Sequence, residues 1–170
     1  TANVTGNNNT AVGALTLRTA NAGANNTAVG TSAMGSTTTG TSNAAVGVLA
    51  LFGNTTGHEN VAMGQATLGA NTTGSRNTAV GHAALGGATT ANGNAAVGWR
   101  ALFANTTGDG NTAMGEFALR SNTTASSNTA IGRYAMEQNV TGESNTAVGR
   151  EALSFNDSGS ENTAIGYGAM

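Results

Sequence analysis

The chain has 170 residues and a formal net charge of −2, with no proline and no cysteine. Only 8% of its residues are charged, against about 25% in a typical soluble domain. Those numbers exclude a disulfide framework and a basic surface that could track a phosphate backbone, and no run approaches the roughly 18 apolar residues of a membrane-spanning helix.

Gly, Asn, Thr and Ala dominate, a balance that in an aperiodic chain points to disorder. Here the order is strict. Gly13, Gly30, Gly47, Gly64, Gly81, Gly98, Gly115, Gly132, Gly149 and Gly166 stand seventeen residues apart without insertion or deletion. Counting from each Gly as position 0, position −4 is always Asn, from Asn9 to Asn162, and −2 is always Ala, from Ala11 to Ala164. Position −1 is Val, Ile or Met, and +4 is Leu or Met. A turn-like N-T-T-G follows at Asn54–Gly57, Asn71–Gly74 and Asn105–Gly108, and Asn3-Val4-Thr5-Gly6 is the same element. A fixed period of this length is the mark of a solenoid.

In chain order, each period predicts a short strand at N-T-A-V-G, a second around x-A-L, and an Asn/Gly turn. The expected fold is all-β: a repetitive β-solenoid of ten 17-residue coils, with residues 1–170 as one array. At about 4.8 Å between stacked strands, ten coils make a rod on the order of 48 Å long. The array opens on Thr1 with no charged-then-apolar leader and has no atypical repeat at either end. It is therefore expected to be a mature chain, a segment of a longer fibre, or an array whose ends stack end to end on other subunits.

Alternation along the strand puts −3 and −1 on one face and −2 with the Gly on the other. The first face, mostly Thr then Val, is expected to form a thin core with Leu or Met at +4. The second, Ala then Gly in every copy, must be approached closely by something. Either the opposite wall of the same narrow coil or another chain would do, and we expect a second chain, because one Val and one Leu per coil make a meagre core. The Asn column reads as a ladder of stacked amides or as a turn residue at φ > 0. The repeated Gly reads as steric clearance or positive φ, and no phosphate-loop motif is present.

The residues at this point resemble a known family. N-T-A-V-G followed by A-L looks like the N-S-V-A-I-G repeats of the YadA-like head of trimeric autotransporter adhesins. It is more similar still to N-T-A-x-G-x-x-A-L-x-x-N-T-T-G arrays in large surface proteins and phage-type tail fibres. The resemblance covers the whole chain. It implies a left-handed β-roll, three chains about a common axis, an extracellular, cell-surface or virion-surface location, and a role in adhesion or fibre building. By that match Thr10, Val12 and their copies face the roll interior, with Ala11 and its copies opposite. The period here is longer than the adhesin's, with N-T-T-G inserted.

Chemistry is sparse. His58 and His82, the two histidines, fall in different columns, and neither a nucleophilic triad nor regularly spaced Asp for calcium can be assembled. No enzyme, cofactor or metal site is expected. Glu116 with Arg133, and Arg120 with Glu137, share columns one coil apart and should pair across the stack. Trp99, Arg100, Phe103, Phe117 and Tyr134 form a candidate aromatic strip for a glycan or receptor; the plainer reading is that they cover the roll's edge or a subunit seam. Asn3, Asn54, Asn71, Asn105, Asn122, Asn139 and Asn156 are sequons in one column (+7), and Asn8 and Asn25 add two more, so a glycan stripe is a candidate. Function divides between a stiff fibre module that self-associates and a ligand-binding module. The latter includes ice binding through Thr ladders at −3 or +9, against which −3 is expected to face inward and +9 to lie in a turn.

Overall fold

The computed structural model describes residues 5–18 and 22–170. It is a β-solenoid in which one three-residue strand per coil stacks into a single parallel sheet. The strands are β1 (Thr10–Val12), β2 (Thr27–Val29), β3 (Ala44–Val46), β4 (Val61–Met63), β5 (Thr78–Val80), β6 (Ala95–Val97), β7 (Thr112–Met114), β8 (Thr129–Ile131), β9 (Thr146–Val148) and β10 (Thr163–Ile165). They pair in chain order, always with the residue seventeen further on: Thr10 with Thr27, Ala96 with Ala113, Val148 with Ile165. Among the described residues there is no helix, and so none long and apolar enough to cross a membrane.

Each strand is short because the backbone turns at both of its ends. At position −5 the residue is in the left-handed region, as at Asn25 (φ 60°), Arg76 (φ 61°) and Gly110 (φ 65°). The repeated Gly has φ between 127° and 138°, a conformation essentially closed to side chains. A Cβ on Gly115 would lie 2.6 Å from the backbone carbon and oxygen of Gly132 in the next coil. Steric clearance and positive φ, offered by the sequence as alternatives, therefore act together.

The second strand expected around x-A-L is not formed. That stretch is a chain of tight turns, closed by Ala50 N–H to the Gly47 carbonyl (3.3 Å) and Asn54 N–H to the Leu51 carbonyl (3.3 Å). Positions +2 and +4 carry positive φ, as at Leu49 (58°) and Leu51 (50°). Positive φ at the third residue only is the mark of a type II turn. Non-glycine residues disfavour it by about 1–2 kcal/mol each; cross-coil bonds such as Leu51 N–H to the Thr67 carbonyl (2.9 Å) and burial of the +4 side chain offset that cost.

The two strand faces are the reverse of the expectation. From Ala28 to Ala147 the −2 alanines are completely buried, in one cluster with the small residues at +3 and the Leu or Met at +4. Thr and Val at −3 and −1 point outward: Val46, Met63, Val97, Met114 and Ile131 are all exposed. The reason is width. Two walls seventeen residues around approach so closely that only a methyl group fits between the strand and the +4 side chain. The partner of the Ala face is thus the opposite wall of the same coil, not a second chain.

The interior is also polar. At −4, Nδ2 of Asn26 donates to the Gly40 carbonyl (2.8 Å), while Oδ1 of Asn26 accepts the backbone N–H of Asn43 (3.0 Å). The same exchange recurs from coil to coil as far as Asn162. A second ladder runs at +7, where Asn71 Nδ2 donates to Asn54 Oδ1 (2.8 Å) and to the Gly74 carbonyl (3.0 Å). Of the two readings of the Asn column, the amide ladder holds, and no −4 Asn has positive φ. Buried amides of this kind are tolerated because each finds partners.

Candidate functional site

Two surfaces stand out. The first is the outer face of the sheet, where the −3 and −1 columns run side by side in register. Neither column holds a charged residue in any of the ten coils: −3 is Thr, Ala or Val and −1 is Val, Ile or Met. Among the described residues nothing covers this face; Val97 is 37% exposed and Met63 47%.

The second surface lies along the turns, in coils that follow β6 to β9. The structure brings the predicted aromatic strip together. The ring centroids of Trp99 and Phe117 are 4.6 Å apart and tilted, and Phe117 stacks on Tyr134 at 5.5 Å with 10° between the planes. Guanidinium groups lie over the rings: Arg100 is 5.4 Å from the Trp99 centroid and 5.1 Å from that of Phe103, Arg120 is 5.0 Å from Phe117, and Arg133 is 4.5 Å from Tyr134. Contacts of this sort contribute about 0.5–1 kcal/mol each at exposed sites. Trp99 also donates its indole N–H to Nδ1 of His82 (3.1 Å).

The five residues differ in what they offer a ligand. Phe117 is 9% exposed, and Phe103 lies back over Gly86 of the preceding coil, so both are packing residues. Trp99 and Tyr134 keep accessible rings. The predicted ion pairs form, with Arg133 Nε 3.0 Å from Glu116 Oε2 and Arg120 Nη2 3.5 Å from Glu137 Oε1. Exposed pairs of this type contribute about 0–1 kcal/mol.

Next to Tyr134 is an open cleft of about 160 Å³ lined by Tyr134, Glu137, Gln138, Glu151, Ser154 and Phe155. Sequence reasoning passed over four of these. Phe155 carried the signal: it sits at +6, where the preceding coils have Ser36, Gly53, Ala70, Gly87, Ala104, Ser121 and Gln138. Among the described residues, no three His, Asp or Glu side chains gather as a metal site would require.

The sequon column is corrected by the structure. Asn54, Asn71, Asn105, Asn122 and Asn139 are completely buried and use their Nδ2 atoms in the second ladder. Asn156 is half-buried with the same bonds. A glycan is joined through that nitrogen, so the folded coil has no room for the expected stripe. Asn8 and Asn25 are exposed, and Asn3 lies outside the described residues.

The fold defines the chain as a β-solenoid repeat protein. Compared with protein-family models, curated proteins and solved structures, the chain finds no match in any of the three.

Proposed function

We propose that the array is a structural module of an extracellular fibre or filament, of the surface-adhesin or virion tail-fibre kind, acting as a stiff spacer and display scaffold. In this reading it works as a homo-oligomer, three chains being the number that the resemblance to adhesin heads implies. The observation that carries it is the uncharged Thr/Val face. Nine steps of about 4.8 Å and three residues of about 3.3 Å give a strip on the order of 400 Å², in the range of the largest apolar patch on a monomer, which is often functional. Copies of the chain packed on that strip gain the burial that a single narrow coil lacks. Stiffness follows from the rest: every coil is bonded to the next through backbone and amide ladders, so bending the rod strains many bonds at once.

Light scattering tests the proposal. The chain should have the mass of a trimer, and the double substitution Val97→Lys with Ile131→Lys should yield 16.5 kDa monomers that keep the β-type circular dichroism. A wild-type monomer at all concentrations contradicts it.

A second reading, ice binding, gains from one observation: the −3 threonines face outward, beside the −1 column on a sheet in strict register. Inward-facing threonine was the objection to it. Thermal hysteresis separates the two readings, since a scaffold whose Thr/Val face is covered by other chains should show none.

A further inference from the structure

We propose that the cleft between the coils of β8 and β9 is a binding site for a small, uncharged saccharide. Its walls are two aromatic rings, Tyr134 and Phe155. Tyr134 is held from behind by Phe117 at 5.5 Å and by Arg133, whose Nη2 donates to the phenol oxygen (3.0 Å). Its ring is thus fixed before any ligand arrives. Phe155 is 70% exposed, the one aromatic side chain in its column.

The polar groups between the rings are left unused by the protein. Glu137 meets Arg120 through Oε1 and Glu151 meets Arg150 through Oε1, so the Oε2 atom of each is free. The side-chain amide of Gln138 has no protein partner. Ser154 is 8% exposed, and its hydroxyl, which lines the cleft, has none either. Two carboxylate acceptors, an amide and a hydroxyl suit a ligand with several hydroxyl groups, and the rings suit one with an apolar C–H face. Charge narrows the class further. The Arg120 and Arg150 guanidinium groups already balance the two carboxylates, so neither an ammonium ion nor an anion is favoured. The volume of about 160 Å³ admits a single pyranose.

This site does not depend on the fibre reading. Its residues lie in the turns after β8 and β9, outside the Thr/Val face. Saturation-transfer NMR on the intact chain tests it, with methyl β-glucopyranoside, methyl β-galactopyranoside and N-acetylglucosamine as probes and choline as the cationic competitor. At least one sugar should receive saturation. Phe155→Ala and Gln138→Ala should each weaken its binding by about tenfold or more, and Trp99→Ala should not. Gln138 is exposed, so its variant reports on the site even where the Phe155 variant folds poorly. No transfer to any of the three sugars, undiminished transfer in both variants, or displacement by equimolar choline would overturn the proposal.

Discussion

The backbone N–H of Asn128 donates to Oδ1 of Asn111, one coil away, at 3.0 Å, and Nδ2 of Asn111 donates to the Ala125 carbonyl at 2.9 Å. One side chain thereby satisfies two buried backbone groups of the neighbouring coil. Asn111→Ala orphans the Asn128 N–H, whereas the Ala125 carbonyl keeps its bond from Asn122 Nδ2 (2.9 Å); one unsatisfied buried group costs about 1–3 kcal/mol. We predict a loss of about 1–3 kcal/mol in denaturant unfolding, while the exposed Thr107→Ala stays within about 0.5 kcal/mol. Equal effects from the two would show that the ladder is ornamental.

The second ladder has a gap. At +7 the coil after Asn71 has Ala88, and Oδ1 of Asn71 is buried without a hydrogen-bond partner. Ala88→Asn should supply the missing donor and link Asn71 to Asn105. The neighbouring Ala91 is no obstacle, because Asn122 makes the same bond to the carbonyl of Ala125 (2.9 Å). A gain of about 1 kcal/mol is expected; a decrease in melting temperature would argue against the slot being equivalent to its neighbours.

Glycine has opposite values at two positions of the repeat. Gly115→Ala combines a φ of 137° with a Cβ 2.6 Å from the Gly132 backbone and should cost about 3 kcal/mol or more. Arg76→Gly should act the other way. Arg76 is exposed with φ 61°, in a column that has Gly93 and Gly110 at φ 65°. Relief of the left-handed conformation should stabilise the chain by about 0.5–1 kcal/mol, since it exceeds the entropy penalty of glycine there. Thermal melts of the two variants, moving in opposite directions, check this.

Buried sequons make a covalent prediction. Produced in a glycosylating host, folded protein should show by peptide mapping no glycan on Asn54, Asn71, Asn105, Asn122 or Asn139. A glycan on Asn105 in chains that retain native circular dichroism would contradict the second ladder.

The period, the fold class, the strand at N-T-A-V-G and the cross-coil ion pairs were legible in the sequence, because each depends only on like positions lying over one another. Which face of the strand looks inward was not. Alternation separates Thr10 and Val12 from Ala11 but does not say which set is enclosed, and the usual preference for burying Val over Ala points the wrong way. Coil width decides it: a wall close enough to bury Leu51 leaves space for the methyl of Ala45 and not for Val46. The x-A-L segment was misread as a strand for a related reason, since Leu at positive φ is rare and nothing in its identity announces it. Of the candidate site, the stacking of Trp99, Phe117 and Tyr134 followed from shared or adjacent columns. The cleft beside Phe155 depends on which groups the protein leaves unbonded, and that appears only with the side chains in place.

The central claim is that the strand buries its alanines within the coil and offers its Val column to other copies. Because the chain lacks cysteine, a single introduced thiol at each of two adjacent positions measures this directly. In Ala96→Cys the thiol should resist a maleimide reagent in assembled and dissociated protein alike. In Val97→Cys it should react at once in dissociated chains and slow by at least about tenfold on assembly. Rapid labelling of the Ala96 variant, or labelling of the Val97 variant that ignores assembly, would contradict the account.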